Sequence, residues 1–88
     1  MADYTVTVAR PARKELEKLP DPIAQRMLAK IEALAVTPRP HGASKLQGEK
    51  YLWRIRVGDY RVVYSVDDTV KVVDVSVIRH RRDVYRNL

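Results

Sequence analysis

An α+β fold is predicted, with a two-helix N-terminal hairpin packed on a twisted, mainly antiparallel sheet of about four strands and a short C-terminal helix. Three features carry this expectation. Residues 3–8 alternate Tyr4, Val6 and Val8 with Thr5 and Thr7, as a half-buried strand does. Residues 11–37 hold two amphipathic segments, each with a proline where a first helical turn tolerates one. From residue 53 onward, β-branched runs alternate and break at Gly58-Asp59 and Asp67-Asp68.

In the first helix Ala12, Leu16 and Leu19 fall at helical spacing, and charged residues take the remaining surface until Pro20 stops it. Asp21 can cap the second, Pro22 opens it, and Ile23, Met27, Leu28, Ile31 and Leu34 form its apolar stripe, ending near Thr37 before Pro38. So short a connection makes the helices neighbours. Residues 37–50 carry Pro38, Pro40, Gly42 and Gly48 and read as one irregular connection anchored by Leu46, with His41 as a solvated loop residue.

The hairpin at residues 53–64 is the strongest local signal. With Gly58-Asp59 as its two loop residues, Val57 faces Tyr60, Arg56 faces Arg61, Ile55 faces Val62, Arg54 faces Val63 and Trp53 faces Tyr64. Strand alternation puts Trp53, Ile55, Val57, Tyr60, Val62 and Tyr64 on one apolar face, and Arg54, Arg56 and Arg61 on the other. The valines of residues 69–78 suit a central strand covered on both faces, and a second two-residue turn at Asp67-Asp68 would set Asp74 opposite Arg61. Val84, Tyr85 and Leu88 have the spacing of a short terminal helix.

Eighty-eight residues with 45% hydrophobic content suit one domain, 1–88, with a modest core. With no cysteine and two histidines far apart, neither a disulfide framework nor a metal site is expected, and no cofactor. The N-terminus lacks the basic start and apolar run of a signal peptide, and no membrane-length apolar run occurs, so a cytoplasmic protein without a membrane partner is expected. The formal charge of +6 favours a polyanionic partner.

Arg56 opposite Arg61 is destabilising unless something compensates. Either these are snorkelling surface arginines neutralised by a carboxylate such as Asp74, or they hold an anion, which planar guanidinium forks on rigid strands are well shaped to do. With no glycine-rich phosphate loop, the arginines together with a histidine and a tyrosine suit phosphodiester chemistry. RNA cleavage needs a base for the 2′-hydroxyl, cations for the phosphorane-like transition state and an acid for the departing 5′-oxygen. Arginine cannot be the base, which leaves His80, Tyr85 and the lysines Lys45 and Lys50. The residues themselves offer Arg54, Arg56, Arg61, His80 and Tyr85 as catalytic candidates, and Lys45, Lys50, Arg79, Arg82 and Arg86 as candidate substrate contacts.

The runs Lys45-Leu46-Gln47-Gly48, Leu52-Trp53-Arg54-Ile55-Arg56-Val57-Gly58-Asp59-Tyr60-Arg61-Val62-Val63-Tyr64 and His80-Arg81-Arg82-Asp83-Val84-Tyr85 resemble the RelE branch of the RelE/ParE toxin superfamily. The resemblance implies a microbial-ribonuclease-like fold and a toxin that works as a ribosome-dependent mRNA interferase, an endoribonuclease cutting the codon in the ribosomal A site without a metal. It implies as partners the 70S ribosome with mRNA, a cognate RelB-like antitoxin, and operator DNA through the antitoxin complex. It places Arg54 and Arg56 at basic catalytic positions that are often lysine in relatives, Arg61 at a phosphate-stabilising arginine, Arg81 at a transition-state or leaving-group arginine and Tyr85 at a substrate-orienting tyrosine. Arginine at 54 and 56 removes a lysine base and shifts that burden to His80 or Tyr85. The competing expectations are a ParE-like gyrase poison without nuclease activity, and a non-catalytic module that binds antitoxin and DNA.

Overall fold

A computed structural model describes residues 3–46 and 52–82. Along the chain run β1 (Thr5–Val8), α1 (Arg10–Glu17), α2 (Asp21–Ala33), β2 (Ser44–Lys45), β3 (Leu52–Val57), β4 (Tyr60–Asp67) and β5 (Val72–His80). The strands form one five-stranded sheet in the order β1-β5-β4-β3-β2, antiparallel except for the parallel pair β1 and β5. The class matches expectation, with one strand more than the four anticipated. The addition is β2, whose two residues pair with Arg54 and Trp53 inside the stretch read as irregular, too short to leave a periodic signal.

Both helices begin at prolines that need no amide partner there. Pro20, rather than Asp21, occupies the cap position of α2, and Asp21 instead lies in the first turn, where a negative charge suits the helix dipole. α2 ends at Ala33, short of Thr37, and tighter turn bonds such as Leu34 N–H to the Ile31 carbonyl at 3.1 Å carry the chain toward Pro38.

Ala12, Met27, Ile31 and Leu34 from the helical layer meet Ile55, Val57, Val62, Tyr64, Val66, Val73, Val75 and Ile78 from one face of the sheet in a single core. Leu28, expected in the α2 stripe, is 41% exposed, because one residue beyond Met27 lies about 100° further round the helix. In the connection, Ala43 packs against the core while Leu46, the expected anchor, is half-buried. Tyr64 is wholly buried, and its hydroxyl donates to the Pro38 carbonyl at 2.7 Å. Burial first, offset in part by Arg39, pushes that phenol up to about 12.

The β3–β4 hairpin has the predicted register throughout, and Gly58 takes the left-handed conformation that the turn requires, at φ +59°. The next connection departs from expectation. Asp67 faces Val72, so the loop is longer than Asp67-Asp68; Asp67 Oδ1 accepts the N–H groups of Thr69 at 2.9 Å and Val70 at 3.2 Å, and Lys71 adopts φ 60°. A bulge between Val63 and Tyr64 shifts the pairing again. Asp74 consequently lies opposite Ser65 rather than Arg61, and accepts the Thr7 hydroxyl at 2.6 Å.

Central β5 buries Val73, Val75 and Ile78 against the helices, whereas Val72 and Val77 are half-buried; among the described residues no helix covers that second face, contrary to the two-sided burial expected. The predicted terminal helix lies outside the described residues. Among the described residues, no helix is long and apolar enough to cross a membrane.

Candidate functional site

Because Arg56 faces Arg61 and Arg61 faces Arg79, three arginines stand in a row across β3, β4 and β5 on the face away from the helices. Arg54, two residues before Arg56 on β3, shares that face, and its Nε donates to Ser44 Oγ of β2 at 3.0 Å. The unpredicted edge strand thus holds one of the predicted arginines.

Arg81 reaches the same place from the end of β5. Its backbone N–H donates to the Asp59 carbonyl at 2.8 Å, and its Nη1 lies 3.9 Å from Asp59 Oδ1. Arg56, Asp59, Tyr60, Arg61 and Arg81 line a cleft of about 290 Å³. A depression of about 190 Å³ beside it is lined by Gly42, Ser44, Arg54, Ile55, Arg56 and Arg61. Arg56 and Arg61 border both hollows, so four of the six catalytic candidates share one continuous surface. Asp59, read from sequence as a turn residue alone, turns out to hold Arg81 through its backbone.

Two ion pairs occur among the described residues, Arg39–Asp68 at 2.7 Å and Arg81–Asp59 at 3.9 Å. Arg54, Arg56, Arg61 and Arg79 belong to neither. The neutralising role considered for Asp74 therefore fails, for Asp74 sits further along the sheet beside Thr7. The Arg81–Asp59 pair is long and exposed, a geometry that contributes little in water.

Other candidates are placed elsewhere. His80 faces Tyr60, one residue out of phase with Arg79, and so lies on the helix side of the sheet. Its ring meets Tyr60 edge to face at 5.1 Å, its Nδ1 accepts the Arg82 N–H at 3.2 Å, and it lines a separate cleft with Ile23, Arg26 and Val57. Lys45 faces Trp53, also on the helix side, and Arg82 is exposed just past β5. Lys50, Tyr85 and Arg86 lie outside the described residues.

A wider depression, about 790 Å³, lies at the opposite end of the β3–β4 hairpin and includes Arg39, Lys45, Trp53, Asp67 and Asp68. Its charges are largely satisfied internally. Arg39 donates twice to Asp68, at 2.7 and 3.3 Å, and stacks over Trp53 at 5.2 Å, while the Tyr4 hydroxyl donates to Asp68 at 2.6 Å. Hydrogen bonds from Arg39 and then Tyr4 hold the Asp68 carboxyl at about 2, and Asp68 in turn raises Arg39. An anion gains less there than at the arginine row, which takes part in no ion pair among the described residues and whose forks can take phosphate oxygens in pairs.

Comparison with known proteins agrees with this fold. Residues 6–85 match the family described as ParE toxin of type II toxin-antitoxin system. The chain is 33% identical over 88 residues to Toxin RelE of Mycobacterium tuberculosis, covering 94% of this chain and 87% of that protein. Its fold superposes on the archaeal RelE-RelB complex from Pyrococcus horikoshii with a TM-score of 0.81 at 33% identity, covering 90% of this chain and 96% of that one. For the intact E. coli RelBE toxin-antitoxin complex the TM-score is 0.76 at 28% identity, over 88% of this chain and 95% of that one. With the family matched over residues 6–85 and RelE relatives matched over most of their length, this chain belongs to the RelE branch of the RelE/ParE superfamily of type II toxin-antitoxin toxins.

Proposed function

We propose that the chain is a ribosome-dependent mRNA interferase, an endoribonuclease that cuts mRNA in the ribosomal A site and so inhibits translation. The observation that carries this reading is the row Arg56–Arg61–Arg79, which takes part in no ion pair among the described residues and is flanked by Arg54 and Arg81. In the reaction the 2′-oxygen loses its proton and attacks the adjacent phosphorus. The P–O5′ bond breaks, leaving a 2′,3′-cyclic phosphate and a 5′-hydroxyl. Charge grows on the non-bridging oxygens, where Arg56 and Arg61 gain interaction energy in the transition state. Arg81, lining the same cleft, stabilises the negative charge on the departing 5′-oxygen, which takes its proton from water.

The position of His80 across the sheet favours Tyr85 as the base. Arginines supply the compensation that a divalent ion gives elsewhere, so chelators should leave cleavage intact. The related structures hold RelB-type antitoxins, and an acidic RelB-like segment suits this cationic face; operator DNA is then reached through that complex, in the cytoplasm.

A ParE-like gyrase poison is the second reading, favoured by the description of the matching family. Primer extension on a defined mRNA in a reconstituted translation reaction, with wild type, Arg61→Ala and Arg81→Ala, separates the two. Cuts inside the A-site codon that both variants lose are the expected result. An intact message with arrested gyrase would instead establish the second reading.

A further inference from the structure

Arg81 can serve the cleft only if the chain leaving β5 turns toward it, and two bonds govern that turn. One is the Arg81 N–H to the Asp59 carbonyl at 2.8 Å. The other runs from the Arg82 N–H to His80 Nδ1 at 3.2 Å. Residues 81 and 82 have helical conformation, so His80 occupies the cap position, and its side chain accepts from the second helical N–H as capping serine, aspartate or asparagine does. The ring is steadied against Tyr60 at 5.1 Å with an interplanar angle of 89°, and Tyr60 also lines the Arg56–Arg61–Arg81 cleft.

We propose that His80 is a positioning residue, which caps the turn after β5 through Nδ1 and thereby aims Arg81 at the arginine row from the far side of the sheet. This rests on the interferase reading for its functional consequence, though not for its geometry. An unprotonated Nδ1 is required, with the ring proton on Nε2. The cap needs an acceptor, not a proton shuttle. Asparagine can place its carbonyl oxygen where Nδ1 stands and cannot act as a base near neutrality, whereas leucine fills the space with no acceptor.

The experiment compares the full chain as wild type, His80→Asn and His80→Leu. Amide hydrogen exchange at Arg82 reads the cap, and single-turnover cleavage at saturating ribosome complex reads the consequence. In His80→Leu, Arg82 should exchange about five- to tenfold faster, and cleavage should fall by about tenfold to a hundredfold at unchanged affinity for the ribosome. His80→Asn should restore both to within about threefold of wild type. Loss of cleavage in His80→Asn with Arg82 still protected would overturn the proposal and make His80 the proton-transfer group. Unchanged Arg82 exchange in folded His80→Leu would overturn it as well. Should wild type itself fail to cut mRNA, the interferase reading falls, while exchange at Arg82 still decides whether His80 forms the cap.

Discussion

Arg61 lies between two residues of its own charge, Arg56 on one strand and Arg79 on the next. Each like-charged cross-strand pair costs about 0.2 to 1 kcal/mol. Replacing Arg61 by Gln should therefore leave stability unchanged or raise it by up to about 2 kcal/mol in urea unfolding, more at low ionic strength. The same change should lower single-turnover cleavage by about a hundredfold or more, as for other electrostatic donors at a reacting centre. That combination marks a residue kept for function. Asp68 is the opposite case, since its carboxyl is held at about 2 against an ordinary 3.8. A depressed carboxylate stabilises the fold above its unfolded value and loses that contribution as pH falls through the folded one. Thermal unfolding should show Asp68→Asn less stable than wild type at pH 7, with the gap closing between about pH 4 and pH 2.

Among the elements, the β3–β4 hairpin is specified locally and the β4–β5 pair is not. Gly58 adopts φ +59° with open space where a Cβ would stand, so Gly58→Ala meets backbone strain alone and should cost about 1 to 2 kcal/mol in chemical denaturation. Tyr64 ties β4 to the connection before β2 through the Pro38 carbonyl. Tyr64→Phe removes that bond with little change in packing and should cost about 1 kcal/mol. Because folding raises this phenol from 10.0 to about 12, its stabilisation is complete below pH 10 and fades as pH climbs toward 12. In the phenylalanine variant, alkaline unfolding should lack that component.

At the scale of the molecule, a chain of formal charge +6 gathers Arg54, Arg56, Arg61 and Arg79 on one open face while the core and helices occupy the other. Binding to a short RNA should weaken steeply with salt, and Arg61→Gln should reduce the slope of log K against log salt by about 0.7, the value for one phosphate contact on a single strand. A variant that loses affinity with an unchanged slope would place Arg61 away from phosphate. The helices, the hairpin register and the cationic face of Arg54, Arg56 and Arg61 were legible because each depends on short-range rules: proline at a first turn, glycine in a tight turn, alternation along a strand. Arg79 and His80 were not. The longer loop after Asp67 shifts their partners by an even number of residues and keeps the faces, but the bulge between Val63 and Tyr64 adds one residue, and with a period of two that exchanges the sides of everything beyond it. So the sequence by itself determined the two N-terminal helices, every strand but β2 and which side of the hairpin carries charge. The tertiary structure alone decided that Arg79 completes the row, that Asp74 stands away from it beside Thr7 and that His80 stands behind it, because cross-strand register is set by backbone irregularities that leave no periodic mark.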